Sequence, residues 1–98
     1  VDPSPVSAVG SPAWELIAST VRGMAPGESV PVIPYLVMGG TDAKYWGPHS
    51  DRVFRFLPVP LGDGERERVH GVNERVAIRD YSAAVGFFTR LLRGIDRL

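Results

Sequence analysis

The chain of 98 residues contains no cysteine, which excludes disulfide bonds and thiolate metal sites. Any metal ion must therefore be bound by His, Asp or Glu side chains. Lysine is nearly absent as well, since Lys44 is the one lysine among eleven basic residues. Eleven acidic residues balance the basic ones, so the net charge does not draw the chain to nucleic acid or to an anionic membrane.

Long apolar runs are also missing. The longest, residues 30–38, contains Pro31 and Pro34 and is far too short to span a membrane. No secretory signal pattern stands at residue 1, which favours a cytoplasmic location, but a chain that begins without Met leaves the location open. Hydrophobic residues make up 44% and charged residues 22% of the chain, which is typical of a globular protein with one modest core.

The spacing of apolar residues predicts a first amphipathic helix over residues 12–22. Ser11 can accept a hydrogen bond from a free N–H group at the helix start, and Pro12 at the first helical position loses no needed donor. Residues 1–11 are rich in Pro, Ser and Gly and are predicted to form an extended linker, with a frayed terminus as the alternative. The domain itself then spans residues 12–98.

A second, longer helix is predicted over residues 78–98, where apolar residues recur with a 3.6-residue period. They form one wide stripe: Tyr81, Ala84, Val85, Phe88, Leu91, Leu92 and Ile95. Asp80 lies in the first turn and arginines lie towards the end, and both placements suit the helix macrodipole. Trp14, Phe87 and Phe88 are most simply interpreted as core residues.

Two strands are predicted between the helices, over residues 34–38 and 52–59, with one helical turn within residues 41–46. The order helix, strand, strand, helix indicates an α/β fold in which the helices cover a small partial sheet. Because an isolated pair of strands is only marginally stable, we expect further strands to come from the rest of a longer chain or from a partner.

His70 is the first candidate for chemistry. It lies between a polar loop and the start of the final helix, where a neutral imidazole can bind a metal ion and nearby polar groups can orient the ring. A single histidine beside a loop is also a common feature of an ordinary surface. From the residues alone, both interpretations stand.

Residues 39–46 form the second candidate segment. Gly40, with the glycine before it, can bring backbone N–H groups close to a ligand at the end of a strand. Thr41 adds a hydroxyl, Asp42 a carboxylate and Lys44 a cation. The alternative is a plain turn with a salt bridge. His49, which precedes Asp51 by two residues, is interpreted as part of a solvated loop.

The two segments occur in a recognisable order. GGTDAKYW, then VFRFLPV, then HGVNERV, then a long final helix resembles the C-terminal stretch of the aminoacylase, succinyl-diaminopimelate desuccinylase and carboxypeptidase S family. The motif sequences are most similar to those of the branch that contains carboxypeptidase S and the N-acyl-amino-acid hydrolases. The resemblance extends from about Ser11 to the end, and it implies that the small sheet completes a larger catalytic domain.

The resemblance assigns a role to each candidate. His70 matches the last zinc-binding histidine of the family, and Gly40 and Thr41 match positions in the substrate site. Lys44 stands where many relatives have an arginine near the substrate's carboxylate. Lysine keeps the charge but loses the planar fork that binds a carboxylate at two points. This departure puts the identity of the substrate anchor in doubt.

Supporting roles follow from the same resemblance. Asn73 and Glu74 are expected to orient the His70 loop without binding metal themselves. Ala77 falls where relatives often have a capping serine. Asp80 is therefore expected to contribute more to stabilising the N-terminus of the final helix.

The resemblance implies a chemistry that uses two zinc ions, and this chain supplies at most one of their ligands. No catalytic residue is expected in it. One histidine does not hold a catalytic zinc, which usually needs about three protein ligands. The resemblance therefore predicts that the chain is inactive alone and functions with the remainder of a parent zinc peptidase or amidohydrolase. The substrate would be a small peptide or an N-acyl-amino acid.

Two further interpretations remain. One is a non-catalytic binding or assembly module that retains the peptidase fold and associates through an exposed sheet edge, for example as a homodimer. The other is a soluble α/β domain whose likeness to the family is accidental. Neither involves nucleic acid or a membrane.

Overall fold

A computed structural model describes residues 5–27, 29–36, 40–60 and 69–98. In these ranges the chain forms three α-helices, α1 (Pro12–Gly23), α2 (Ala43–Trp46) and α3 (Ile78–Ile95), and one 3₁₀ turn (Gly47–His49). Helices α1 and α3 pack against each other, and α2 runs directly into the 3₁₀ turn. None of the helices in this described part is long and apolar enough to cross a lipid bilayer.

Helix α1 confirms the first sequence prediction and extends it by one residue. The hydroxyl of Ser11 accepts a hydrogen bond from the backbone N–H of Trp14 at 3.1 Å, as expected of a helix cap. Thr20 is buried, and its hydroxyl donates to the carbonyl of Leu16 at 2.6 Å. This bond satisfies a polar group that would otherwise be costly to bury.

Helix α3 begins at the predicted residue and ends at Ile95, three residues before the predicted end. Asp80 lies in its first turn and Arg93 in its last, in agreement with the helix macrodipole. Ala77 occupies the N-cap position, where its side chain makes no capping hydrogen bond. The missing side-chain cap agrees with the expectation for Ala77, and the larger contribution expected of Asp80 stays a prediction.

The core lies between α1 and α3. Ala18 and Phe87 are each 1% exposed, and Ala84 is 9% exposed. Gly94 allows close contact near the far end of α3, because a Cβ atom placed there would lie 2.5 Å from Cδ1 of Leu16. A guanidinium nitrogen of Arg90 also donates to the carbonyl of Gly23 at 3.4 Å.

Aromatic side chains join residues 52–60 to the two helices. The ring of Phe56 lies 5.2 Å from that of Phe87, and the ring of Phe54 lies 6.1 Å from that of Trp14. Tilted ring pairs at these distances are favourable. Of the three predicted core residues, Phe87 is buried, Trp14 is half-buried and Phe88 remains 44% exposed.

The predicted α/β sheet is wrong for the described part of the chain, which contains helices and no strand. Residues 52–59 and 34–36 are irregular, and residues 37–38 lie outside the described ranges. A strand requires a neighbour to accept and donate its backbone hydrogen bonds. Among the described residues, none plays that part for either segment.

Val53 shows what replaces strand pairing. The hydroxyl of Ser7 donates to the carbonyl of Val53 at 2.8 Å, and the N–H of Val53 donates back to the same hydroxyl at 2.9 Å. One side chain therefore satisfies both backbone groups of a residue that the alternating pattern had assigned to a strand. The apolar residues do alternate in this segment, but the backbone of Val53 bonds to a side chain and not to a neighbouring strand.

Candidate functional site

His70 lies in a solvent-exposed turn, and residues 74–77 connect this turn to α3. Its φ angle is 58°, and that of Asn73 is 59°, both in the left-handed region. Few residues other than glycine adopt this conformation, although His and Asn do so more often than most. Two such residues three positions apart give the loop a tight, defined path. Strained backbone of this kind is often found at functional sites.

Residues 40–44 are also mostly exposed, and local contacts organise them. The hydroxyl of Thr41 accepts a hydrogen bond from the N–H of Ala43 at 3.1 Å, and the N–H of Lys44 donates to the carbonyl of Thr41 at 3.3 Å. The hydroxyl keeps its own proton for donation to a ligand. Gly40 precedes this turn, and its N-terminal neighbour lies outside the described residues.

Lys44 makes a contact that was not among the sequence predictions. Its Nζ atom lies 4.9 Å from the centre of the Tyr45 ring, which is a cation–π geometry. The adjacency of a cation and an aromatic residue in the sequence was the available signal. The contact steadies an ammonium group that remains open to solvent.

The structure does not join the two candidate segments within the described ranges. No hydrogen bond or ion pair between described residues connects residues 40–44 with His70. Asn73 and Glu74 make no hydrogen bond to His70 in this part of the chain either, so their orienting role stays a prediction. Residues 61–68, which precede the His70 turn, lie outside the description.

Metal binding by this chain alone finds no support in the described residues, where no three His, Asp or Glu side chains form a possible cation site. His49 ends the 3₁₀ turn and borders a shallow open depression with Pro5 and Arg52. Asp51 pairs with Arg52 at 3.9 Å, and both side chains are largely exposed. These surroundings of His49 consist of loop residues and fit a solvated loop better than a metal site.

Comparison with known protein families identifies the chain. The family described as "Peptidase family M20/M25/M40" matches residues 1–94, which is nearly the whole chain. The chain therefore belongs to this peptidase family, and the resemblance drawn from its motifs is confirmed.

Individual relatives carry names of two kinds. "Probable carboxypeptidase S-like 2" of Dictyostelium discoideum is 30% identical over 97 residues, which are 99% of this chain and 18% of the relative. "N-fatty-acyl-amino acid synthase/hydrolase PM20D1" of Homo sapiens is 29% identical over 97% of this chain and 19% of the relative. "Putative carboxypeptidase YOL153C" of Saccharomyces cerevisiae is 30% identical over 89% of this chain and 16% of the relative.

The chain thus spans about a fifth of the length of the curated relatives that it matches. No solved structure matches it. The activity of a whole protein that contains this chain is therefore a matter for proposal.

Proposed function

We propose that this chain is the C-terminal segment of the catalytic domain of a zinc-dependent hydrolase of peptide or N-acyl-amino-acid bonds, and that His70 is its one metal ligand. The observation that supports this most directly is the family match along residues 1–94 together with the exposed His70 turn. The remaining ligands, the general base and most of the substrate site belong to the rest of the enzyme.

The environment of His70 suits a metal site whose other ligands come from outside this chain. The side chain is exposed, and it makes no hydrogen bond to another described residue. A catalytic zinc usually has about three protein ligands, and the described residues contain no group of three. When bound at such a site, zinc polarises a carbonyl oxygen as a Lewis acid. The chain's own contribution is to hold one imidazole in a defined turn.

The relatives' names suggest the substrate class. One set is named for carboxypeptidase S and the other for fatty-acyl-amino acids. Peptides and N-acyl-amino acids both carry an amide bond next to a terminal carboxylate. Lys44 offers an exposed ammonium group for that carboxylate, and the Thr41 hydroxyl three residues earlier can donate a hydrogen bond.

Replacement of His70 in the full-length protein tests the zinc assignment. His70→Ala should lower amide hydrolysis by at least about a hundredfold and reduce bound zinc, because loss of a direct ligand costs more than loss of a residue that only orients one. His49→Ala is the matched control, since this second histidine is also exposed and should leave both quantities unchanged. Near-normal hydrolysis and zinc content in the His70 variant would remove the basis for the assignment.

Replacement of Lys44 tests the substrate anchor. Lys44→Ala should raise KM for a substrate with a free carboxylate about tenfold, while kcat changes little, because a single charge-assisted hydrogen bond is lost. Lys44→Arg should retain or lower KM, since the guanidinium grips a carboxylate at two points. An unchanged KM in the alanine variant would exclude Lys44 as the anchor.

A binding or assembly module is the second candidate function, because many large apolar side chains are exposed. Ile33, Tyr35 and Leu36 are 71%, 78% and 73% exposed in one short segment. Under this alternative the chain would associate with itself, and light scattering at several concentrations would show a dimer or larger species. A monomer across the concentration range speaks against it.

A further inference from the structure

Helix α3 has three different faces. One face packs against α1 and contains Ala84, Phe87 and Gly94. The opposite side is polar and exposed: Arg79, Ser82, Thr89 and Arg93. Between them lies a third face, here called the outer apolar face: Ile78, Tyr81, Val85, Phe88, Leu92 and Ile95.

The outer apolar face is continuous, and the described residues leave much of it exposed. In chain order, its six side chains are 89%, 63%, 53%, 44%, 65% and 45% exposed. At 100° per residue these positions fall within an arc of about 100°, and they extend along about 26 Å of helix. The stripe predicted from the sequence was therefore divided: Ala84 turned towards α1, while Val85 and Leu92 stayed outside.

A contiguous apolar stripe of this length is unusual on the surface of a protein that functions as a monomer, and it marks an interaction site. A helix with apolar residues on both a packed face and a second face is typically buried on two sides. The position of Thr89 and Arg93 on the remaining face shows that α3 keeps one side for solvent.

We propose that the outer apolar face of α3 is covered by an apolar surface of the rest of the same polypeptide, outside the 98 residues; this rests on the proposed function. The matched region is 99% of this chain but 18% of the Dictyostelium discoideum relative, so more than four-fifths of that relative lies beyond it. That length of polypeptide is sufficient to supply a second layer against α3.

A second copy of the chain fits this face less well. A stable interface between two proteins usually needs about 20–30 residues from each side. The outer apolar face offers six, in one row. Contact within one polypeptide requires less area, because it does not carry the entropy cost of association. The separate exposed segment with Ile33, Tyr35 and Leu36 also fits a surrounding polypeptide, which can cover more than one element.

Thiol labelling of the native full-length protein tests the proposal. Val85→Cys and Leu92→Cys probe the outer apolar face, and Thr89→Cys is the matched control on the polar face of the same helix. With native rates divided by rates in denaturant, the first two thiols should react with maleimide at least about tenfold more slowly than the control. Mass spectrometry of the α3 peptide reports each rate separately from any other cysteine of the protein.

The outcomes separate the possible occupants. Slow labelling at positions 85 and 92 that does not depend on protein concentration supports the proposal. Labelling at positions 85 and 92 that is as fast as at position 89 overturns it. Protection that disappears on dilution would assign the face to a second copy and overturn it too. A coding sequence with no residues beyond these 98 would also refute it.

A second measurement needs no variant. Hydroxyl-radical footprinting of the unmodified full-length protein should leave Tyr81 and Phe88 poorly oxidised compared with the denatured protein, and strong oxidation of both would contradict the proposal. The proposed function fails differently: normal hydrolysis in His70→Ala would reject the zinc assignment without altering labelling of α3. Fast labelling in a zinc-dependent enzyme would reject the interface alone.

Discussion

The paired helices α1 and α3 differ sharply from the segments that carry the candidate chemistry. The helices enclose Ala18, Ala84 and Phe87, which are the buried hydrophobic residues of the described chain. His70, Thr41 and Lys44 are all exposed, and their segments make mainly local contacts. The packed core and the candidate site residues thus lie in different parts of the described chain.

The physical basis of this difference is hydrogen bonding. A helix satisfies most of its backbone N–H and C=O groups internally, so α1 and α3 need neighbours only for side-chain packing. An extended segment depends on neighbours for the same bonds. Each helix can therefore form from signals within a few residues, whereas the proposed metal site would need groups from outside this chain.

Truncation of Phe87 should have the largest effect on the helix pair. Phe87→Ala removes a ring that is 1% exposed and contacts Phe56 and Phe88, and it should lower the free energy of unfolding by about 3–5 kcal/mol. Denaturant titration followed by circular dichroism measures this change. Phe88→Ala, at a 44% exposed position, should cost clearly less. Equal costs would mean that α1 and α3 are not packed around Phe87.

Removal of the Ser7 hydroxyl tests the link between the N-terminal residues and Val53. Ser7→Ala deletes two hydrogen bonds of 2.8 and 2.9 Å, leaves both backbone groups of Val53 unpaired, and should cost about 1–3 kcal/mol. The same titration reports it. Ser29→Ala, at an exposed position, is the control and should be nearly neutral. A neutral Ser7 variant would show that water replaces the hydroxyl without penalty.

The N-cap of α1 should contribute less. Ser11→Ala removes the side-chain acceptor of the Trp14 N–H and should lower the free energy of unfolding by about 1 kcal/mol. Ser11→Asp should preserve stability, because aspartate caps a helix equally well and its charge suits the helix N-terminus. If both variants lose the same stability, the cap is not the reason for the start of α1.

Two glycines of α3 give the smallest and most local comparison. Gly86→Ala adds a Cβ atom with nothing within 4 Å and should stabilise the protein by about 0.5–1 kcal/mol through helix propensity. Gly94→Ala should gain less or lose stability, since its Cβ meets Leu16 at 2.5 Å and that side chain must move. Thermal melts of the two variants measure the difference. Identical gains would place α1 farther from Gly94 than described.

Much of the helical structure could be predicted from the sequence. Ser11 and Pro12 gave the start of α1, and the 3.6-residue period gave α3 from its first residue. These signals are local, because caps and periodicity act within a few residues along the chain. The sheet predicted from residues 34–38 and 52–59 is wrong for the described residues, since alternation reports which side chains are apolar and not which backbone groups pair.

The candidate site was predictable only in part. The motifs around Thr41 and His70 identified the peptidase family, which the match over residues 1–94 confirms. The metal-ligand role of His70 and the substrate roles of Gly40, Thr41 and Lys44 stay predictions. A metal centre is formed by residues from several segments brought together in space, and His70 is the one ligand that we propose for this chain.

By itself, the sequence determined the family of this protein and the positions of its two main helices, because motif order and helical periodicity are properties of the chain alone. Tertiary structure decided which side of α3 faces α1, that Val53 pairs with the Ser7 hydroxyl, and that six apolar residues of α3 remain uncovered. Those outcomes depend on contacts between residues far apart in sequence, where competing partners differ by small free energies.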